Sequence, residues 1–312
     1  MRFASFSTPE IPKPHLGIVQ DDEVLDVDLA ATALNLIGPD QVQELIEQYA
    51  QKWEVLQAIL GRAAGRPFSA VRVFAETGAA RKLDEVQLAA PIPRPQKNIM
   101  CLGQNYLDHA QEMTRARANS PGVPQYPNIF TKAPTTINGP YGDIVIDPEV
   151  SLKVDWEAEL AVIIGKAGKN IRAEDALDYV FGYTVLNDVS ARDLQHRQPQ
   201  YFKGKSIDGY CPLGPWIVTA DEIPDPQNLP VRLRVNGVTK QDSNTSMMIF
   251  SVREIIAALS LGMTLEPGDI IATGTPSGVG DARKPPEYLQ PGDIVETEIE
   301  GIGMLRNRVI GS

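Results

Sequence analysis

The sequence has few cysteines and no long apolar run. Cys101 and Cys211 are the only cysteines among 312 residues, and neither belongs to a CxxC pair, which argues against a disulfide framework and a thiolate zinc site. We expect both to be packed thiols. No stretch approaches the roughly eighteen apolar residues that cross a bilayer, and the N-terminus lacks the apolar segment and cleavage site of a secretory signal. The sequence therefore predicts a cytoplasmic protein without a membrane partner.

Positive charge is also scarce. The chain has 29 basic and 40 acidic residues, a net charge of −11, and no basic tract. Because nucleic-acid binding relies on clustered Lys and Arg side chains, we expect no nucleic-acid partner. An acidic chain does supply oxygen ligands for hard cations. Its length and its hydrophobic content of 43% are ordinary for a globular protein with a substantial core.

The hydrophobic pattern and the composition of the chain change near residue 90. Residues 1–90 combine strand-like patches with helical spacing over residues 41–60 and predict a small α+β domain. Residues 91–97 form a Pro-rich linker, and residues 98–312 are rich in strands separated by Gly, Pro and Asn turns. Helices are expected near Ala173 and after Ser251, where the serine would cap the N-terminus. This pattern favours a mainly β fold with some α, an α+β roll or barrel, over a doubly wound sheet.

Carboxylates at the ends of two apolar strands are the main chemical signal. Glu157 and Glu159 precede a strongly apolar stretch, and a spacing of two places both on one face of a strand. A surface strand that alternates charged and apolar residues would explain this pair equally simply. Asp188, which ends the run FGYTVLN, offers a third oxygen ligand. Three carboxylates without a His/Cys cluster suit Mg²⁺, Mn²⁺ or Ca²⁺ better than Zn²⁺.

A group of polar and basic residues follows Asp188. Arg192, Gln195, Lys203 and Lys205 could neutralise an anionic substrate, and an arginine offers a bidentate fork to a carboxylate. Ordinary surface salt bridges explain any one of these bases equally well.

The Gly-rich run at residues 272–280 lacks the GK[ST] ending of a phosphate-binding loop, which argues against nucleotide binding. Its backbone N–H groups and the Thr275 hydroxyl could approach a substrate carboxylate. The same composition is also typical of ordinary turns that bind no ligand.

One histidine has a carboxylate at helical spacing. His109 and Glu112 are three residues apart, so on a helix they share a face, and a Glu can orient an imidazole for proton transfer. A histidine on the surface of a helix remains the alternative. His15 lies in a Pro-rich stretch and His196 in a polar segment, so neither competes strongly as a base.

Five motifs in fixed order resemble the catalytic domain of the fumarylacetoacetate hydrolase superfamily, which includes bacterial 2-hydroxyhepta-2,4-diene-1,7-dioate isomerases. They are NYLDHAQE, WEAELAVIIG, NDVSARDLQ, FKGKS and ATGTPSGVG, and the resemblance spans about residues 98–309. It implies a mixed β-roll, usually a homodimer, with Mg²⁺ or Mn²⁺ bound by Glu157, Glu159 and Asp188.

The resemblance also implies roles for individual residues. His109 and Glu112 match the dyad that activates water in hydrolytic members. Gln195 and Lys205 match positions that contact the oxo and carboxylate oxygens of the substrate.

Arg192 and Thr275 lie in motifs that help to bind the substrate or shape its pocket, and residues 114–128 are expected to border that pocket. The favoured function is hydrolysis of a C–C bond in a small 2,4-dioxo acid, either an acylpyruvate or a dioxo sugar acid, through a metal-stabilised enolate. Decarboxylation or keto–enol tautomerisation of oxaloacetate is the alternative, because all these reactions share the enolate. A catalytically silent relative that binds metal and ligand is the alternative without enzyme activity.

Overall fold

Nineteen strands and eight α-helices form the part of the chain that the computed structural model describes, residues 1–116 and 122–312. The N-terminal elements are β1 (Arg2–Ser7), β2 (His15–Gln20), β3 (Glu23–Asp26), α1 (Val27–Ala33), α2 (Val42–Glu47), α3 (Tyr49–Ala63), α4 (Arg72–Thr77), β4 (Ala80–Lys82) and β5 (Gln87–Ala89). Part of the predicted pocket border, residues 117–121, lies outside the described residues.

The remaining elements form two groups along the chain. The first comprises β6 (Ile99–Gly103), α5 (Leu107–Ala116), β7 (Asn128–Lys132), β8 (Ile137–Asn138), β9 (Ile144–Ile146), β10 (Val154–Asp155), β11 (Ala158–Ile164), β12 (Val180–Asn187), β13 (Ser190–Ala191), α6 (Arg192–His196) and α7 (Phe202–Lys205). The second comprises β14 (Cys211–Thr219), β15 (Pro230–Val235), β16 (Val238–Asn244), α8 (Val252–Ser260), β17 (Ile270–Ala272), β18 (Ile294–Ile299) and β19 (Gly303–Gly311).

Most strands join one mixed sheet of twelve strands. Its main path runs β4-β3-β2-β1-β14-β12-β11-β17-β6-β7, with β5 on β1 and β8 on β14. A second sheet of five strands has the order β16-β15-β18-β19-β9, and β10 pairs with β13. The N-terminal strands continue into the large sheet because β1 pairs with β14. The predicted α+β fold, rich in sheet and with few helices, is therefore confirmed.

Strand β11 is buried on both faces. Leu160, Val162 and Ile164 contribute to a core shared with the five-stranded sheet and α8. Ala161 and Ile163 point into a second core that also contains residues of α1–α4. This alternation follows from the two-residue period of a strand. It means that polar side chains at the start of β11 are enclosed by protein.

The helix predictions were right in most respects. The helical pattern predicted over residues 41–60 appears as two helices, α2 and α3, separated by Gln48. The segment from Ala173 is a 3₁₀ helix, and Ser251 caps α8 as expected. Within the described ranges, every helix is too short or too polar to span a membrane. Both cysteines are buried and unpaired.

Candidate metal and catalytic site

The three predicted metal ligands come together where β11 begins and β12 ends. These strands are antiparallel with Ala158 opposite Asn187, so the next residue, Asp188, lies beside Glu157. The Asp188 N–H donates to the Glu157 carbonyl oxygen at 2.9 Å. One carboxylate oxygen from each of Glu157, Glu159 and Asp188 lies within 4.8 Å of the others, and all three side chains are buried.

Three buried carboxylates in this arrangement repel one another. Burial, together with the charges of Asp188 and Glu157, raises the pKa of Glu159 well above its ordinary value. Such a cluster is relieved by a proton or by a cation. All the donors are hard oxygens, which are the ligands that Mg²⁺ and Mn²⁺ prefer. The residues present therefore fit a divalent metal ion.

Two buried lysines neutralise part of this charge. Lys205 Nζ lies 2.8 Å from Glu157 Oε2 and 2.7 Å from Asp188 Oδ2. Lys132 Nζ donates to Asp188 Oδ1 at 2.7 Å and to the Val189 carbonyl oxygen at 3.2 Å. Burial alone would lower the pKa of Lys205, but the charges of Asp188 and Glu157 outweigh it and raise that pKa. Lys205 is therefore a charged ammonium group; Lys132 was not identified from the sequence.

Arg192 forms hydrogen bonds and ion pairs with other side chains of the protein. Its Nε donates to Asp155 Oδ2 at 2.8 Å, and one terminal nitrogen lies 2.7 Å from Glu157 Oε1. The same terminal nitrogen donates to Gln195 Oε1 at 2.9 Å. Because its oxygen is held in this way, Gln195 has its NH₂ group as the remaining donor. In this structure Arg192 orients Glu157 and Gln195.

The Gly-rich loop after β17 also holds protein carboxylates. Its backbone N–H groups were expected near a substrate carboxylate, but three of them donate to side chains of the site. These bonds are Gly274 to Glu159 Oε2 (2.7 Å), Gly278 to Glu112 Oε1 (3.0 Å) and Gly280 to Asp155 Oδ1 (2.7 Å). The loop thus fixes the positions of acidic side chains on three other segments.

The predicted dyad is present on α5. His109 Nδ1 lies 3.1 Å from Glu112 Oε2, and the His109 side chain is largely buried. It borders a cavity of about 50 Å³. Other predicted residues that line this cavity are Glu157, Arg192, Gln195, Lys205 and Thr275. The histidine is therefore within the same pocket as the proposed substrate-binding residues.

A second imidazole-carboxylate pair lines the cavity. His196 Nε2 lies 3.0 Å from Asp281 Oδ2, and Asp281 Oδ1 accepts a hydrogen bond from the Tyr288 hydroxyl at 2.9 Å. Burial would raise the pKa of Asp281, but the hydrogen bonds and the charge of Arg192 lower it overall. No local sequence pattern indicates this pair, because its members are 85 residues apart.

Known proteins are similar to this chain over nearly its whole length. The profile of the fumarylacetoacetate (FAA) hydrolase C-terminal family matches residues 98–310. Oxaloacetate tautomerase YisK of Bacillus subtilis is 45% identical over 309 residues, which cover 97% of this chain and 99% of that protein. Mitochondrial oxaloacetate tautomerase Fahd2a of Rattus norvegicus is 41% identical over 311 residues, with coverages of 99% and 92%.

A solved structure is similar as well. Maleylpyruvate hydrolase from Sphingobium sp. SYK-6, in complex with manganese(II) and pyruvate, superposes with a TM-score of 0.75 at 31% identity, and the match covers all of both chains. This relative binds a divalent metal. Together with the buried triad, it supports a divalent-metal site in this chain.

Proposed function

The chain belongs to the fumarylacetoacetate hydrolase family and is an enzyme, and from this premise we propose that it interconverts the enol and keto forms of oxaloacetate with Mg²⁺ or Mn²⁺. The observation that carries the proposal is one small cavity bordered by His109 of the His–Glu dyad, by the buried ammonium group of Lys205 and by Glu157 of the carboxylate triad. The names of two relatives at 41% and 45% identity support oxaloacetate as the substrate.

Glu157, Glu159 and Asp188 would hold the metal. A divalent cation bound there would act as a Lewis acid that polarises a 2-oxo group and makes enolisation easier. Lys132, Arg192 and Lys205 already offset part of the carboxylate charge around the triad, so a divalent ion bound there would add positive charge that attracts an anionic substrate.

The reaction requires only proton movement. Conversion of the enol to the keto form removes a proton from the enol oxygen and adds one at carbon 3, with no change in oxidation state. His109, oriented by Glu112, would carry this proton. Lys205 and the NH₂ group of Gln195 would donate to the oxygen on which negative charge develops.

The size of the cavity supports a small substrate. A volume of about 50 Å³ is well below that of pockets for larger ligands, which typically exceed about 300 Å³. A four-carbon acid therefore fits with less rearrangement than a dioxo sugar acid. Cavity size does not separate oxaloacetate from acetylpyruvate, which has the same number of non-hydrogen atoms; the names of the two relatives support oxaloacetate.

Hydrolysis of a C–C bond is the second candidate. The same His109–Glu112 dyad could remove a proton from water rather than from substrate, and the manganese-bound relative at 31% identity is named a maleylpyruvate hydrolase. For this reaction, water must reach the distal carbonyl of a 2,4-dioxo acid. The fate of the shared enolate depends on this access.

The experiment presents freshly dissolved enol-oxaloacetate and, separately, acetylpyruvate to the protein with Mg²⁺ or Mn²⁺. Enol absorbance is followed while pyruvate, acetate and CO₂ are measured. Faster loss of the oxaloacetate enol without pyruvate or CO₂ is the expected result. Cleavage of acetylpyruvate to pyruvate and acetate, with no effect on the oxaloacetate enol, would replace the tautomerase with the hydrolase.

A further inference from the structure

Gln241 is a fully buried amide that the proposed reaction does not use. It lies on β16, and its side chain does not line the cavity. Its Oε1 accepts a hydrogen bond from the Ala158 N–H at 2.9 Å. Its Nε2 donates to Thr275 Oγ1 at 2.8 Å and to the Pro276 carbonyl oxygen at 2.9 Å. The amide thus joins the strand that carries Glu157 and Glu159 to the Gly-rich loop.

Two of these contacts determine the orientation of the amide independently. The Ala158 N–H can only donate, so the amide oxygen must face it. The Pro276 carbonyl can only accept, so the NH₂ group must face the loop. Both hydrogens of Nε2 are therefore directed at the loop, one to Pro276 and the other to Thr275.

This orientation determines what the Thr275 hydroxyl can do. A hydroxyl group has one hydrogen to donate, and Gln241 occupies one of its lone pairs. Within residues 1–116 and 122–312, Thr275 Oγ1 makes no other hydrogen bond. Thr275 also borders the cavity. Its hydrogen is consequently available to an acceptor inside the cavity.

The loop is held closely against β16 at this point. Gly278 has a φ of +104°, and a Cβ added there would lie 2.0 Å from the Lys240 carbonyl oxygen. The Trp156 indole N–H donates to the Gly278 carbonyl oxygen at 3.1 Å. The backbone of the loop that carries Thr275 therefore cannot move away from β16 without disturbing these contacts.

We propose that Gln241 is a positioning residue that makes the Thr275 hydroxyl a donor toward the cavity. Thr275 then donates a hydrogen bond to an oxyanion of the substrate, either a carboxylate or an enolate oxygen. It disfavours a substrate group that can only donate a hydrogen bond. The proposal rests on the proposed function only for the substrate class, a small 2-oxo acid anion. Gln241 acts through Thr275 and does not touch the substrate.

The test uses Gln241→Glu, which has nearly the same shape but replaces the NH₂ donor with a carboxylate oxygen. The Thr275 hydroxyl then turns its hydrogen to this carboxylate and presents a lone pair to the cavity. With Mg²⁺ at saturation, we expect the affinity for oxalate, a small unreactive dianion, to fall at least about tenfold by calorimetry. Mg²⁺ affinity is measured without oxalate as well, because a new carboxylate beside Ala158 acts directly on a metal held by Glu157 and Glu159.

Gln241→Met is the second variant, because it removes the polar contacts without reversing them. The Thr275 hydroxyl can then rotate and still donate, so the loss of oxalate affinity should be smaller than in Gln241→Glu. An equal or larger loss in Gln241→Met would overturn the proposal, since it would assign the effect to packing. Thermal unfolding identifies which variants are folded. If the glutamate variant does not fold, a loss of oxalate affinity of about tenfold or more in folded Gln241→Met would overturn the proposal, because its Thr275 hydroxyl can still donate.

A double-mutant cycle isolates the route through Thr275. Thr275→Val should weaken oxalate binding, and adding Gln241→Glu to it should cause little further loss. If Gln241→Glu weakens binding by the same factor in both backgrounds, the two residues act separately and the proposal fails. Because oxalate does not react, this outcome is independent of turnover. If the effects of Gln241→Glu and Thr275→Val on oxalate affinity are coupled but the protein has no tautomerase activity, only the proposed function is refuted. If the protein has tautomerase activity but the two effects are not coupled, only this inference is refuted.

Discussion

Glu159 is the residue with the strongest electrostatic conflict in the site. It is 1% exposed, and its pKa is raised by burial and by the neighbouring charges of Asp188 and Glu157. A neutral amide of the same shape can keep the hydrogen bond from the Gly274 N–H. The carboxylate is therefore expected to serve metal binding and not the stability of the metal-free fold.

The variant Glu159→Gln should accordingly lose metal affinity without losing stability in the metal-free state. Loss of groups that merely support metal ligands costs about 10- to 100-fold in affinity, so loss of this ligand should weaken Mg²⁺ binding at least about tenfold. The unfolding temperature of the metal-free protein should not fall. Calorimetry and thermal unfolding measure both, and Glu149→Gln, at an exposed carboxylate, is the control. A large drop in stability with unchanged Mg²⁺ affinity would exclude the metal role.

His109 is expected to carry the proton. In His109→Gln the rate constant kcat for loss of the oxaloacetate enol should fall by about 10²- to 10⁴-fold, the usual contribution of general acid-base catalysis. Oxalate affinity with Mg²⁺ should remain, since metal and anion binding use other residues. Steady-state kinetics and calorimetry provide the two measurements.

Two further histidine variants test whether the loss of kcat is specific to His109. His15→Gln removes an imidazole that does not line the cavity, and kcat should be retained. His196→Gln removes the other imidazole of the cavity. If its loss of kcat exceeds that of His109→Gln, the proton carrier is the His196–Asp281 pair.

Individual site residues differed in how far the sequence could identify them. Glu157, Glu159 and Asp188 were identifiable because each borders an apolar strand, and the pairing of β11 with β12 then brings them together. Lys132 and Gln241 gave no such signal. Their partners, Asp188 and Thr275, are 56 and 34 residues away, and only the folded chain brings them into contact.

At the scale of elements, the Gly-rich loop is the connection on which the site depends. Gly278 and Gly292 have nearly the same left-handed φ, +104° and +102°. A Cβ on Gly278 would collide with the Lys240 carbonyl oxygen, whereas nothing lies within 4 Å of a Cβ on Gly292. The two positions therefore share backbone strain and differ in crowding.

This contrast predicts different outcomes for the two alanine variants. Gly292→Ala should lower the free energy of unfolding by about 1–2 kcal/mol, the cost of a left-handed alanine, with activity retained. Gly278→Ala should cost more, and it should also raise KM because the loop carries Thr275. Urea unfolding and steady-state kinetics test both. Equal destabilisation with unchanged KM in both variants would show that contact between the loop and β16 is unimportant.

The secondary structure was predictable where a single pattern dominated. The apolar strand β11 and the Ser251 cap of α8 both appear as expected. The break at Gln48 between two helices was missed because apolar side chains continue at helical spacing on either side of it. The large sheet could not be predicted from local patterns, since its order depends on pairings such as β1 with β14, more than 200 residues apart.

At the scale of the whole molecule, one buried ion pair should make stability depend on pH. His15 Nε2 lies 2.8 Å from Asp26 Oδ2, and its Nδ1 lies 3.1 Å from the Lys13 carbonyl oxygen. Burial lowers the pKa of His15, but these two contacts and the nearby Asp40 raise it overall. The raised pKa means that folding favours the protonated imidazole.

The direction in which the stabilisation by His15 changes with pH follows from this linkage. The stabilisation is fully present below the unfolded pKa of about 6.5 and is lost as the pH rises through the higher folded value. The difference in free energy of unfolding between the wild type and His15→Gln should therefore shrink from about pH 6 to about pH 9. Urea unfolding at several pH values measures it. A difference that grows with pH would contradict the assignment.

The division at residues 91–97 and the homodimer remain predictions. Both can be examined in solution, by the folding of a fragment comprising residues 98–312 and by sedimentation of the full chain. The residues proposed for metal binding, proton transfer and substrate binding lie between His109 and Thr275 of one chain.

A metal titration of the metal-free protein tests whether tautomerisation depends on a metal ion at the carboxylate triad. Mg²⁺ or Mn²⁺ is added while the decay of the oxaloacetate enol is followed, in the wild type and in Glu159→Gln. We expect that the metal-free protein barely accelerates the decay, that the wild type regains a saturable rate when metal is added, and that the variant does not at the same metal concentrations. A metal-free protein as fast as the loaded one, or equal metal response of both proteins, would contradict metal-dependent tautomerisation at this triad.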